Sequence, residues 1–263
     1  VIFYLVAVFF FALLIGFAGK VIVGGLMGAK PEMFRFARKG SIGNQLFNTI
    51  YLVFISLLFS IPLGVTAGIY LAMYAKKGFL TKFLRICIET LSSLPSIVVG
   101  LFGYLVFLVF FGLGKSLLAG ALSVSILAIP VITTTTEDAI NGLPGHYLQA
   151  SLGLGATRWQ SIYKVVIPAA GSGILSGIIL GLARAFGEAL AVAMVIGQTT
   201  ALPKGLFSTT KSLTTEIAAQ MGNATEGGEM KTALWTMALL LFLLSLLFIL
   251  LIHYFSRPKK DKE

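Results

Sequence analysis

Residues 137–167 read EDAINGLPGHYLQASLGLGATRWQSIYKVVI. The stretch is too long for a tight turn and too amphipathic for a structureless loop. Tyr147, Leu148, Leu152 and Leu154 predict one short helix, stopped by Gly153 and Gly155. A second is expected after Thr157, whose hydroxyl can cap it, with Gln160 three residues on to complete a capping box. Trp159, Ile162, Tyr163 and Val166 then recur at helical spacing. Pro168 stands where a first-turn proline would open the next helix. A helix–glycine–helix module with an apolar face is therefore expected. Such a face suits either an interfacial helix pair lying on lipid or a docking knob for a partner protein.

On both sides of this module the sequence is strongly apolar. Of 263 residues, 57% are hydrophobic and 11% charged, and the mean hydropathy is +0.95. So little charge could not cover a soluble globule of this size, so the chain is an integral membrane protein rather than a soluble, disordered or disulfide-built one. One cysteine (Cys87) and two histidines (His146, His253) leave little room for a zinc site or a Cys/His catalytic pair. A membrane helix needs about 20 mostly apolar residues. Such runs occur at about 1–26, 46–74, 84–111, 117–133, 168–196 and 232–255, which predicts an all-α protein with six transmembrane helices in a single domain spanning residues 1–263. The first run begins on Val1 without a basic leader, so it is not read as a signal peptide and further residues are expected upstream.

The net charge is +10. Lys76, Lys77, Lys82, Arg85, Arg158, Lys164, Arg257, Lys259, Lys260 and Lys262 fall on the module's side. Lys30, Arg35, Arg38, Lys39, Lys115, Lys204, Lys211 and Lys231 fall on the other. The bias is small, and the dense 76–85 loop and basic tail favour the module's side as cytoplasmic. These loop charges are expected to meet lipid headgroups; nucleic acid is not expected as a partner.

Gln149-Ala150-Ser151, Gly155, Val165 and Ile167-Pro168 resemble the EAA loop of ABC-importer permeases, with the same spacing throughout. Gln149 stands in place of the family glutamate and Ser151 in place of the second alanine. The stretches SLPSIVVGLFGYLVF (93–107), SLLAGALSVSILAIPVITTTTEDAI (116–140) and GLARAFGEALAVAMVIGQT (181–199) are similar to the permease subunits of the high-affinity phosphate importer. The middle of the chain is closer to the A-type subunit, and the part after Gly187-Glu188 closer to the C-type. The resemblance implies a type I ABC-importer permease fold with a cytoplasmic coupling-helix module, in a bacterial cytoplasmic membrane. It implies a second related permease, two ATPase subunits and an extracytoplasmic phosphate-binding protein as partners, with phosphate as cargo. Gln149, Ala150, Gly155, Thr157, Arg158, Trp159 and Pro168 would then dock the ATPase. ATP and magnesium would bind that partner, and no cofactor is expected on this chain. Consistent with this, Gly114-Lys115-Ser116 lacks the first glycine of a phosphate loop, Val109 standing in its place, and it precedes a membrane span rather than following a strand.

Ionised groups at bilayer depth are costly and need a reason. Arg184 lies near the middle of the fifth run with Glu188 four residues on, on one helical face. They are expected either to neutralise each other or to place the Arg184 guanidinium on phosphate oxygens, with Glu188 tuning it. Glu89, Ser93 and Ser96 cluster beside Pro95 and suggest an interrupted helix along a wet cavity, or hydroxyls that serve packing. Thr133 begins a run of four threonines that either relays substrate or ends the span, before a solvated Glu137-Asp138 pair. Loop 197–231 is a candidate contact for the binding protein, or part of a gate. Permeases for another oxyanion, molybdate or sulfate, share the loop module but not the Ala-Arg-x-x-Gly-Glu segment. A secondary transporter or channel would need the polar groups and not the module. An intramembrane enzyme lacks a metal set or Ser/His pair in these runs.

Overall fold

The computed structural model describes residues 2–36, 41–76, 78–225 and 227–255. Of the loop cations weighed above, Arg38, Lys39, Lys77, Arg257, Lys259, Lys260 and Lys262 lie outside those residues.

Four helices among the described residues are long and apolar enough to cross a membrane, and two further bent pairs bring the number to six if each is one span. In chain order they begin with α1 (Ile2–Gly28) and α2 (Ile42–Met73). The first bent pair is α3 (Phe79–Ser93) with α4 (Ser96–Gly103), which runs on as a π-helical turn over Tyr104–Phe110. Then come α5 (Leu117–Asn141), the module helices α6 (His146–Gly153) and α7 (Arg158–Ser161), a π-helical segment at Ile162–Val166, and the single turn α8 (Ile167–Ala169). Helices α9 (Gly171–Gly187), α10 (Leu190–Val195), α11 (Leu213–Gln220) and α12 (Glu229–Phe255) complete the chain.

Three of the expected spans need correction. The run 84–111 is not one helix. Leu94 and Pro95 are both extended, and the axis turns by 103° between α3 and the α4 segment. Proline removes a backbone donor and drives the residue before it out of the helical region. The run 168–196 is broken after Gly187, where Glu188 is extended before α10 restarts. The span expected to end at Thr133 continues to Asn141. Pro168 stands in the first turn of the short helix α8, as expected, but α8 is a single turn. It sits inside the bent pair Arg158–Ala169 and Gly171–Gly187, which turns by 68°. The wide π turn just before it relieves the clash between a proline ring and the carbonyl four residues back.

The core lies where α2, α5, α9, α10 and α12 meet, around Leu52, Val53, Leu117, Val124, Phe186, Val192, Ile196 and Phe248. A second cluster, Met73, Ile140, Ile162, Val166 and Ile174, fastens the module to the ends of α2, α5 and α9. A third joins α2, α11 and α12 through Ile42, Leu213, Leu234 and Met237. The place of the first span, open in the sequence, is at the edge: α1 is almost wholly exposed and packs along α12. There the Lys20 ammonium lies 5.7 Å over the Trp235 ring, and the Thr236 hydroxyl donates to the Gly25 carbonyl at 3.2 Å.

Candidate functional site

The two helix breaks lie side by side. Leu94 and Val99 pack with Ala191 in one small cluster, and α4 and α10 cross closely enough that a Cβ on Gly100 would stand 2.7 Å from the Ala191 Cα. Only glycine permits that approach. Each short helix begins at its own break, with its amide-rich end there.

Glu188 occupies the second break. Its carboxylate accepts from the Ala191 N–H at 3.1 Å, and its carbonyl accepts from the Thr214 hydroxyl at 2.8 Å. A carboxylate at the start of α10 satisfies an orphan donor and complements the helix dipole. This differs from the expected pairing with Arg184. The four-residue spacing brings two side chains together only in continuous helix, and Glu188 has left it. Arg184, half-buried in the last turn of α9, makes no ion pair among the described residues. It lies on a stripe of α9 with Ser172, Ser176 and Leu180, the face turned away from the core.

The other pathway candidates separate. Glu89 and Ser93 are exposed on α3 and Ser96 is half-buried at the start of α4, so the interruption expected there is present. The Ser93 hydroxyl donates to the Thr90 carbonyl at 2.9 Å and Thr90 to that of Ile86 at 2.6 Å, so both serve their own helix. Thr133 is fully buried, its hydroxyl bonded to the Ile129 carbonyl at 2.8 Å, inside the seam between α2 and α5. Thr134 and Thr135 take the half-exposed side. Glu137 is not solvated: it is buried and ion-paired to Arg85 of α3, while Asp138 is exposed.

The module matches its sequence reading closely. Thr157 and Gln160 form a complete capping box, with the Thr157 N–H donating to Gln160 Oε1 at 2.9 Å. Gly155 has φ +83°, a left-handed turn that strains any side chain with a Cβ. The Ser151 and Ser161 hydroxyls bond at 2.9 Å and tie α6 to α7. The apolar repeat splits into two faces: Ile162 and Val166 are buried, whereas Trp159 and Tyr163 stack outward with ring centroids 6.5 Å apart. With Leu154, 90% exposed, they form an apolar surface flanked by exposed Gln149, Ala150 and Pro168. Arg158 is engaged within the chain. Its guanidinium donates to the Met73 carbonyl at the end of α2 and lies 5.4 Å over the Tyr74 ring, where a cation meets the negative end of a helix.

Sequence reasoning missed the polar anchor of loop 197–228. Lys211 and Glu216 form an ion pair at 2.6 Å with side chains only 7% and 9% exposed. The Asn48 amide donates to the Lys211 carbonyl at 3.2 Å, and the Thr49 hydroxyl accepts from the Leu213 N–H at 2.9 Å. The available signal was Asn44, Gln45, Asn48 and Thr49 in the first turns of an otherwise apolar helix. The segment is thus folded into the bundle and reaches the second break through Thr214.

Residues 64–260 match the family described as binding-protein-dependent transport system inner membrane component. The chain is 42% identical over 221 residues to a probable ABC transporter permease protein, YqgH of Bacillus subtilis, covering 82% of this chain and 71% of that protein. It is 31% identical over 222 residues to the phosphate transport system permease protein PstC of Pasteurella multocida, covering 75% and 68%. With PstA of Xylella fastidiosa it shares 34% over 151 residues, covering 57% and 53%. Among solved structures, it superposes on a chain of the methionine ABC transporter MetNI with a TM-score of 0.64 at 20% identity, covering 82% and 96%. On a chain of a bacterial ABC transporter that imports alginate the TM-score is 0.68 at 15% identity, covering 97% and 96%. These two likenesses show the fold, a type I ABC-importer permease fold in a multi-pass membrane protein.

Proposed function

We propose that this chain, which belongs to the binding-protein-dependent transport system inner membrane component family, is the permease subunit of an ATP-driven phosphate importer. In this reading it forms half of an alternating-access pathway with a second, related permease. A binding protein delivers phosphate on the outer side, and two ATPase subunits carrying ATP and magnesium grip the module on the cytoplasmic side. The likeness to phosphate permeases of both types supports phosphate over molybdate or sulfate.

The observation that carries the reading is Arg184. A guanidinium half-buried in a membrane helix with no counter-charge among the described residues is costly. It sits one turn before the break at Glu188, where its own charge favours an anion. Glu188 then acts as a positioning residue that starts α10 and holds the break open. Exposed Leu154, Trp159 and Tyr163 supply the apolar contact for the ATPase, and Arg158 braces α7 against α2. Glu89 on α3 and Ser96 at the start of α4 would line the approach, while Ser93 serves its own helix.

The test is uptake of radiolabelled phosphate by proteoliposomes holding the whole transporter with its binding protein. Arg184→Gln keeps the assembly and lowers uptake by about ten- to a hundredfold, the worth of a charged hydrogen bond. Uptake that persists without ATP, or an Arg184→Gln variant that transports normally, refutes the reading. Sulfate or molybdate taken up in preference to phosphate leaves the permease and replaces its cargo.

A further inference from the structure

Between the ends of α2, α3 and α5, on the module's side, lies a cavity of about 790 Å³. Its wall is of two kinds. Leu71, Ala72 and Phe79 make one side apolar, while Lys82, Arg85 and Asn141 make the other polar. Arg85 is held in place by its ion pair with the buried Glu137. Lys82, one turn earlier on the same face of α3, makes no ion pair among the described residues. Two cations against one carboxylate leave a positive wall. The start of α3 reinforces it, since Gly78 provides no side-chain cap and the first turn holds no acidic residue. From Phe79 in the wall, Phe83 and Ile86 continue outward as an exposed apolar face at helical spacing.

We propose that this cavity binds the phosphate group of an anionic ligand, held between Lys82 and Arg85. An anionic phospholipid headgroup and free inorganic phosphate share that chemistry. The apolar half of the wall suits a headgroup whose chains leave along α3, and basic pockets between membrane helices are a known setting for such lipids. The proposal is independent of the transported cargo, because Arg184 belongs to a different part of the fold and is not in the cavity wall.

The experiment uses the assembled transporter in phosphatidylcholine nanodiscs. Retention of dioctanoyl phosphatidylglycerol is read by native mass spectrometry, and inorganic phosphate is added as competitor. Lys82→Gln should reduce retention by about five- to tenfold, the loss of one such cation. Lys76→Gln, exposed and outside the cavity, should leave it unchanged. Arg85→Lys keeps the pair to Glu137 and serves as a second variant if Lys82→Gln assembles poorly. Lipid that phosphate does not displace identifies the headgroup as ligand. Lipid that phosphate displaces, with the same dependence on Lys82, identifies the phosphate group alone. Equal losses for Lys82→Gln and Lys76→Gln, or binding of neither probe that depends on Lys82, overturns the proposal.

Discussion

Replacing Lys211 by Met isolates the force that folds the outer segment into the bundle. Unit charges 2.6 Å apart attract by about 6 kcal/mol at an effective dielectric of about 20. Most of that attraction offsets the loss of hydration, because both side chains are more than nine-tenths buried. Removing one partner leaves the other charge buried and uncompensated, at a cost of about 3–5 kcal/mol, whereas replacing both by apolar residues is close to neutral. Lys211→Met and Glu216→Leu are therefore each expected to destabilise the segment by that amount, and the double variant to recover most of it. The assay is amide hydrogen exchange across residues 205–221 in the assembled, detergent-solubilised transporter. The Thr210 N–H, bonded to the Ile196 carbonyl at 3.2 Å, and the Leu213 N–H, bonded to Thr49, are the reporters. A loss of 3–5 kcal/mol of local stability speeds exchange by about a hundred- to several-thousandfold. Single variants that exchange like the wild type refute the view that the pair anchors the segment. A double variant as unprotected as the singles refutes the view that the two charges serve chiefly each other.

Four further outcomes follow from the same geometry. Gly100→Leu has no room against Ala191, so α4 and α10 are expected to separate and the transporter to lose uptake while remaining inserted, checked by uptake beside membrane yield. Glu188→Ala removes the α10 cap at about 1 kcal/mol. Exchange at Ala191 should rise about fivefold, with uptake reduced less than in Arg184→Gln. Trp159→Ala is expected to weaken co-purification of the ATPase without altering the fold, since the ring is 64% exposed. Gly155→Val strains a left-handed turn by about 1–2 kcal/mol and should loosen the module, seen as faster proteolysis between α6 and α7.

The module was the most legible part of the sequence because its determinants are local. A hydroxyl at Thr157, an amide at Gln160 and a glycine at Gly155 each act within a few residues, and each has its expected role. The spans were legible as apolar runs, but only one of their two breaks was. Leu94-Pro95 carried a proline signal, which is why an interruption was expected there. Gly187-Glu188 carries none, and Glu188 leaves the helix because its carboxylate and carbonyl find partners in α10 and α11. The ion pairs Arg85–Glu137 and Lys211–Glu216 were invisible for different reasons. The first joins helices 52 positions apart in the chain, so no spacing rule reaches it. The second lies five residues apart, a spacing that does not align faces in regular helix, and it forms because Ser212 starts a helix between the partners.

That difference bears directly on what Arg184 can do. Had α9 continued, Glu188 would lie one turn away and neutralise the guanidinium, and the span would carry two silent charges. The break uses the carboxylate elsewhere, on the Ala191 N–H, and leaves the guanidinium without an ion-pair partner among the described residues. An unpaired cation in a membrane chain is sustained only by water, by an anion or by a group from another subunit. The stripe of α9 that carries it turns away from this chain's core. In the proposed dimer of permeases that stripe is where a shared pathway would run, and the helix break would leave the charge facing it.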